Sequence, residues 1–178
     1  MHPLSPNAFA TSIAFVLFGT AFIPTVGAAE PAKPAHAASA GIEGVISRVT
    51  DGDSLWLQPA GKAPIEVRLR DIDAPEICQP YGPEAKKALE QLALGKTAKL
   101  TVSARDQYGR SVGGVVVDGQ SLSKLMVAEG HAWSARGRND RGPLMKEERM
   151  AIALRRGVHA TQGAVLPKDF RKSHGPCK

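Results

Sequence analysis

The sequence IEVRLRDIDAPE, residues 65–76, decides the fold. Apolar and polar side chains alternate strictly over residues 65–70, which predicts a β-strand with one buried face. The last four residues, DAPE, place two acids around a rigid proline, a composition typical of a turn. We therefore predict a half-buried strand that carries Arg68 and leads into a polar turn with Asp73 and Glu76.

Turn signals and alternating segments on both sides of this stretch predict four more strands. Asp51-Gly52 is a strong hairpin signal, and Gln107-Tyr108-Gly109 is a second turn between two alternating segments. The strands that flank these turns are predicted at residues 42–49, 54–58, 98–103 and 112–117.

Apolar residues recur at helical spacing in three segments. In the first, Pro83 stands in the first turn and Gly95 ends the helix, as is typical of helix termini. Glycines also end the second and third helices. The three helices are predicted at residues 82–94, 122–129 and 143–156.

The order of these elements indicates the fold class. Five short strands with one inserted helix and two later helices predict a mainly β, α+β domain. We expect a five-stranded Greek-key barrel of the oligonucleotide/oligosaccharide-binding (OB) type with three helices. The domain is predicted at residues 41–165, and a C-terminal tail, residues 166–178, is expected to follow it.

The N-terminus has the composition of an export signal. Residues 1–28 contain no Lys, Arg, Asp or Glu, and their apolar run ends in the small residues Gly27 and Ala28. Residues 29–40 are rich in Pro and Ala and are predicted to be a disordered linker. We expect a secreted or periplasmic protein. The alternative is a membrane-anchored protein that keeps residues 1–28 and faces outside the cytoplasm.

The charge balance leaves two interpretations open. The chain has 23 Lys and Arg against 17 Asp and Glu, a formal net charge of +6. A basic surface attracts polyanions such as nucleic acids over a long range. A solvated basic surface without a partner has the same composition, so charge alone does not decide.

Cys78 and Cys177 are the two cysteines of the chain, and they lack the CxxC spacing of zinc or redox sites. In an oxidising compartment they are expected to form a disulfide that closes a loop of about 100 residues. Two unrelated thiols are the alternative. A bridge would place the tail beside Glu76, two residues before Cys78, and restrict the motion of that turn.

Four polar clusters follow one another along the domain. Each alone has an ordinary explanation as a turn, a solvent-facing side chain or a helix cap. Their order and spacing, however, resemble the staphylococcal nuclease-like (thermonuclease) family from Gly41 to about Gly157, and the resemblance implies the same barrel with three helices. The clusters are DGDS (51–54), VRLRDIDAPE (67–76), YGPEA (81–85) and DQYGR (106–110).

The resemblance implies a Ca²⁺-dependent endonuclease that hydrolyses phosphodiester bonds in DNA and RNA and leaves 3′-phosphate ends. The predicted export signal makes it an exported one. Asp53 and Asp73 match the metal-binding carboxylates of the family, and the Ala74 carbonyl matches its backbone ligand. Two carboxylates completed by water leave an open site, which suits Ca²⁺ and the entry of a substrate.

The resemblance also assigns catalytic roles. Glu76 matches the general base that orients or deprotonates the attacking water. Arg68 and Arg110 match the two arginines that hold the phosphate, whose planar forks donate paired hydrogen bonds to its oxygens.

The expected substrate contacts depart from the family. Tyr108 matches a tyrosine beside the nucleotide pocket, but Gln107 stands where a lysine is familiar. Arg136 and Arg138 stand near the family's base-contacting tyrosines, so we expect phosphate or cation–π contacts there. Trp133 either stacks on a base or packs beneath the barrel.

The expected partners follow from recognition through phosphates. DNA and RNA in single-stranded or frayed regions are the expected substrates. We expect a monomer, and no stable protein partner is implied. The alternative function is a non-catalytic nucleic-acid-binding module, because barrels of this type also bind without cutting.

Overall fold

The structure is a computed structural model that describes residues 41–137, 140–175 and 177. The predicted signal peptide and linker, residues 1–40, lie outside the described residues, and so does Arg138.

Five strands form a closed barrel. Antiparallel pairing runs in the order β3-β2-β1-β5-β6, and a parallel pairing of β3 with β6 closes the ring, while the short β7 extends β6. This architecture confirms the predicted OB-type barrel. The strands are β1 (Ile42–Val49), β2 (Ser54–Gln58), β3 (Ile65–Leu69), β4 (Ile72–Asp73), β5 (Thr97–Arg105), β6 (Ser111–Val117), β7 (Gln120–Ser121) and β8 (Trp133–Ser134).

Strand β3 confirms the alternation that predicted it. Its apolar residues Val67 and Leu69 are fully buried, whereas the alternating polar residues Glu66 and Arg68 remain partly exposed. Because successive side chains point to opposite faces of a strand, burial of Val67 and Leu69 holds Arg68 outside the core. The outward face of β3 is thus where polar site residues are found.

Buried aliphatic side chains fill the barrel and the space between it and the helices. Leu55, Leu57 and Leu100 come from the strands, while Leu89 and Met126 come from the helices, and all five are fully buried. One continuous core therefore fixes the helices against the barrel.

The three predicted helices are present, and a fourth follows them. The third helix is shorter than predicted, because Leu144 is still a turn residue and Arg155 adopts a left-handed backbone conformation with φ 50°. Among the described helices, none is long and apolar enough to cross a membrane. The helices are α1 (Gly82–Ala93), α2 (Leu122–Ala128), α3 (Met145–Ala153) and α4 (Pro167–His174).

Helix α4 lies in the segment predicted as a C-terminal tail. Helix α4 has few apolar side chains, Pro167 and Phe170, and Pro167 is its buried residue. Contacts made before and after the helix hold it instead. The side chain of Gln79 donates to the Val165 carbonyl at 2.7 Å, and Cys177 forms a disulfide with Cys78.

Candidate active site

Asp53 lies at the bottom of the candidate site, directly after the hairpin turn. Its side chain is buried, with 3% of the residue exposed. Its Oδ1 accepts hydrogen bonds from Arg68 Nη1 at 3.0 Å and from Ser54 Oγ at 3.1 Å, and its Oδ2 accepts from the Ala74 backbone N–H at 3.1 Å. These bonds fix the carboxylate between β2 and the polar turn after β3.

Arg68 connects the two predicted metal-binding carboxylates. Its Nη1 contacts Asp53, while its Nη2 donates to Asp73 Oδ1 at 3.1 Å. Pairing of β2 with β3 places Arg68 opposite Ser54, the residue after Asp53. The register of one hairpin therefore brings Asp53, Arg68 and Asp73 together.

The carboxyl group of Asp53 has a strongly perturbed pKa. Burial raises it from an ordinary value of 3.8 to about 7, and the negative charges of Asp51 and Asp73 act in the same direction, against the opposing effect of Arg68. The single guanidinium does not offset the loss of hydration. A divalent cation beside Asp53 would favour the ionised form.

The donor chemistry of this position fits a hard divalent cation. The carboxylates of Asp53 and Asp73 converge on one guanidinium, and carboxylate and carbonyl oxygens are the ligands that Ca²⁺ and Mg²⁺ prefer. Within residues 41–137, 140–175 and 177, no group of three or more His, Cys, Asp or Glu side chains has metal-binding geometry. A cation here would therefore be held by two carboxylates, and backbone oxygen and water would complete its coordination.

Glu76 lies in a tight turn that leads into α1. Its backbone N–H donates to Gln79 Oε1 at 3.2 Å, and its carbonyl accepts from the Gln79 N–H at 2.8 Å. Gly82 packs so closely on the Glu76 carbonyl that a side chain there would overlap it. Close packing of α1 against this turn therefore positions the carboxylate of Glu76.

Arg110 is held by an acid four residues before it. Its Nε donates to Asp106 Oδ2 at 2.7 Å, and its backbone N–H donates to Asp106 Oδ1 at 3.0 Å. Its Nη1 reaches Ser54 Oγ at 3.4 Å, so a hydroxyl links Arg110 to Asp53. The hairpin between β5 and β6 thus directs this arginine towards the carboxylates.

Tyr108 stands at the rim of the same cleft. Its side chain is 75% exposed, and the guanidinium carbon of Arg110 lies 5.5 Å from the centre of its ring. A cleft of about 620 Å³ brings together Arg68, Glu76, Tyr108 and Arg110.

Arg136 belongs to a neighbouring cleft, which Arg68 also lines. This cleft has a volume of about 590 Å³, and Arg136 Nη2 pairs with the buried carboxylate of Glu148 at 2.8 Å. Trp133 is buried, with 6% exposed, and meets the His159 ring edge-on at 5.9 Å. Trp133 therefore packs within the domain.

One residue of the site, Arg171, was not predicted from the sequence. Arg171 of α4 donates from Nη1 to Glu76 Oε1 at 2.6 Å and to Asp73 Oδ1 at 3.1 Å, and from Nη2 to Asp73 Oδ2 at 3.3 Å. The disulfide between Cys78 and Cys177 confirms the predicted pairing and brings α4 to the site. That pairing was the available signal, because it places the tail beside Glu76.

The family profile described as "Staphylococcal nuclease homologue" matches residues 66–159, which is more than half of the chain. The chain belongs to this staphylococcal nuclease homologue family. The matched segment contains Arg68, Asp73, Glu76 and Arg110, and the structure adds Asp53 from the preceding hairpin. It ends before α4, so Arg171 lies beyond the matched segment.

Relatives in bacteria and plants support the assignment to the staphylococcal nuclease homologues. An uncharacterized endonuclease of Escherichia coli O157:H7 is 36% identical over 133 residues, which cover 74% of this chain and 86% of the relative. Another, from Haemophilus influenzae, is 30% identical over 127 residues and 71% of each chain.

A probable staphylococcal-like nuclease of rice, Oryza sativa subsp. japonica, is 40% identical over 106 residues, or 60% of this chain. The aligned part spans 32% of that plant relative. The similarity to the plant protein therefore concerns one domain of a longer chain.

Proposed function

We propose that this chain is an exported, Ca²⁺-dependent nuclease that hydrolyses phosphodiester bonds in DNA and RNA and leaves 3′-phosphate ends. One observation carries the proposal: Arg68, Arg110 and Glu76 line one cleft, and two carboxylates converge on the guanidinium of Arg68. A protein that only bound nucleic acid would gain nothing from acids facing a polyanion. The names of the bacterial and plant relatives, endonuclease and nuclease, support the same activity.

The arginines in this proposal bind and stabilise the phosphate. Arg68 approaches the cleft from β3 and Arg110 from the turn between β5 and β6, and their forks donate to the phosphate oxygens on which negative charge develops. Both are already oriented, Arg68 by Asp53 and Arg110 by Asp106. Donors that are fixed before the reaction need little reorganisation during it, which favours the transition state.

Glu76 in this proposal receives a proton from the attacking water or orients that water. Its carboxylate is part of the cleft wall and is held by the turn before α1. A base must lie within hydrogen-bond reach of the proton that it accepts, so its position matters as much as its pKa.

Asp53, Asp73 and the Ala74 carbonyl are the residues that would hold the cation. When bound, Ca²⁺ would neutralise phosphate charge and polarise the phosphorus–oxygen bonds. Ca²⁺ is proposed over other divalent ions because two carboxylates with several waters suit a large cation with flexible coordination.

The proposed substrates are single-stranded or frayed DNA and RNA. The exposed ring of Tyr108 is available for a base or a sugar, and aromatic stacking tolerates every base. Arg136 and Arg138 are proposed as outer phosphate contacts, and the net charge of +6 supports attraction of the strand. Contacts to phosphates carry no sequence information, so broad specificity follows. Action as a monomer is part of the same proposal.

Product analysis tests this proposal. Purified protein is incubated with single-stranded DNA and RNA oligonucleotides, first with Ca²⁺, then with excess chelator, and the products are identified by mass spectrometry. Ca²⁺-dependent products with 3′-phosphate ends from both nucleic acids are expected. Tight binding without products under any divalent cation would instead indicate the non-catalytic binding module.

We also propose that residues 1–28 direct export and are then removed. The disulfide between Cys78 and Cys177 supports an oxidising compartment, because such bonds rarely persist in a reducing cytosol. The mass of the protein recovered from the producing cells tests this. A chain that begins near Ala29 is expected, whereas a mass that includes residues 1–28 would indicate the membrane-anchored form.

A further inference from the structure

Arg171 pairs with the carboxylates that the proposed chemistry requires. Its guanidinium takes both oxygens of Asp73, at 3.1 and 3.3 Å, and Oε1 of Glu76, at 2.6 Å. Paired, charge-assisted hydrogen bonds of this kind are the strong ones in proteins. The acidic partners of Arg171 are thus a proposed cation ligand and the proposed base.

Anchors on both sides of α4 limit how far Arg171 can move away. Before the helix, Gln79 Nε2 holds the Val165 carbonyl at 2.7 Å. After it, the disulfide joins Cys177 to Cys78. Both anchors attach α4 to the segment directly after Glu76. A guanidinium that is confined in this way keeps a high effective concentration beside the cleft.

A divalent cation and Arg171 compete for the same oxygens. Coordination of Asp73 by a cation requires carboxylate lone pairs that now accept from Arg171. Two positive groups on one carboxylate also repel each other. Binding of a cation would therefore displace Arg171 from Asp73, while the two anchors would keep the guanidinium near the cleft.

We propose that Arg171 is a third phosphate-binding arginine, which exchanges its carboxylate partners for a phosphate of the substrate when the cation binds. This inference rests on the proposed nuclease function. Arg171 lines both the cleft that contains Arg110 and the neighbouring cleft that contains Lys168. A strand that follows this basic path has a phosphate next to the scissile one within its reach. Helix α4 lies beyond the residues that the family profile matches, so the contact of Arg171 comes from the C-terminal tail.

Cation binding without nucleic acid tests the first half of the exchange. Ca²⁺ is titrated calorimetrically into the disulfide-bonded wild type, Arg171→Ala and Lys172→Ala. Lys172→Ala is the matched control, because this substitution removes the same charge from the same helix. The Lys172 side chain is 77% exposed and pairs with Asp169. Arg171→Ala is expected to bind Ca²⁺ about three to ten times more tightly, because the cation no longer competes with a partly exposed ion pair. The Ca²⁺ affinity of Lys172→Ala is expected to change by less than about twofold.

Oligonucleotide binding tests the second half. In a Glu76→Gln background, which suppresses cleavage, fluorescence anisotropy of a labelled single-stranded oligonucleotide is measured with saturating Ca²⁺. Adding Arg171→Ala is expected to weaken binding by about fivefold or more, as for loss of a charge-assisted phosphate contact. With Arg171→Lys in the same background, the oligonucleotide affinity is expected to be intermediate, because lysine keeps the charge but lacks the planar fork.

Tighter cation binding together with weaker oligonucleotide binding supports the exchange. Unchanged or weaker Ca²⁺ binding in Arg171→Ala would overturn it, and so would equal losses of oligonucleotide binding in Arg171→Ala and Lys172→Ala. Circular dichroism melting confirms that each variant is folded. Neither titration depends on turnover, so a wild type that fails to cleave would refute the proposed function separately.

Discussion

The Asp106 carboxylate holds Arg110 through a hydrogen bond of 2.7 Å to Nε and a second of 3.0 Å to the backbone N–H. Both side chains are partly buried at the end of the hairpin between β5 and β6. An acid outside the proposed catalytic set therefore determines the direction of one catalytic arginine.

Asp106→Ala is expected to lower kcat by about 10- to 100-fold, because Arg110 would lose its orientation as a transition-state donor. KM is expected to change much less. Steady-state kinetics on single-stranded DNA measure both constants. Asp118→Ala is the control, since that acid is exposed and pairs with Lys96 on the surface. Equal effects of the two substitutions would contradict a positioning role for Asp106.

Lysine should be a poor substitute for either catalytic arginine. Arg68→Lys and Arg110→Lys keep the charge but lose the planar fork that contacts two acceptors. We expect kcat to fall by about 100-fold, as for removal of one preorganised donor worth roughly 3 kcal/mol. Rates are compared at saturating substrate and Ca²⁺. Near-wild-type turnover in Arg68→Lys would mean that paired hydrogen bonds are not needed.

The disulfide is expected to contribute to the free energy of unfolding. Cys78 and Cys177 are 99 positions apart, and the chain-entropy relation assigns a loop of that size about 4 to 5 kcal/mol. The double variant Cys78→Ser/Cys177→Ser should lose a similar amount in urea unfolding. Reductant should destabilise the wild type but leave the variant unchanged. A wild type that is equally stable under reductant would show that the bridge contributes nothing.

Stability is expected to depend on pH through His159. Burial lowers the pKa of His159 below its ordinary value of 6.5, and its Nε2 is buried without a hydrogen-bond partner in the described structure. The folded state therefore takes up a proton less readily than the unfolded chain, so stability is lost as pH falls below 6.5.

The effect of His159 is measured as a difference, because Asp53, whose pKa is raised, acts in the opposite sense over part of this range. Urea unfolding of wild type and His159→Phe is compared at pH 7.5 and pH 5.5 in chelator. The wild type should lose more stability than the variant on acidification. Parallel losses in both proteins would show that His159 does not contribute.

Local patterns predicted most of the barrel and the centre of the site. The alternation in β3 fixed which side chains are buried, and it placed Arg68 on the outer face beside the turn that carries Asp73. Turn residues predicted the hairpin of β1 and β2, which leads into Asp53, and the pairing of β2 with β3 then places Asp53 beside Arg68. These features depend on contacts between segments that are close in sequence, and such contacts leave a periodic signal.

The features that were missed depend on distant contacts. The pairing of β4 with β8 involves two residues on each strand, too few for a period, and yet it places Asp73 beside Trp133. Helix α4 buries little of its surface, and its anchors come from Gln79 and Cys78. Composition at residues 166–178 therefore predicted a tail, and the contact of Arg171 with Glu76 became visible only in the folded chain.

The central claim is that this domain cleaves nucleic acid by means of Glu76. The most direct test compares cleavage of single-stranded DNA by the wild type and by Glu76→Gln, at equal Ca²⁺ and with binding measured in parallel. Loss of a general base is expected to reduce cleavage by about 10²- to 10⁴-fold while binding stays close to wild type. Equal cleavage by both proteins, or binding without cleavage by the wild type, would contradict the account.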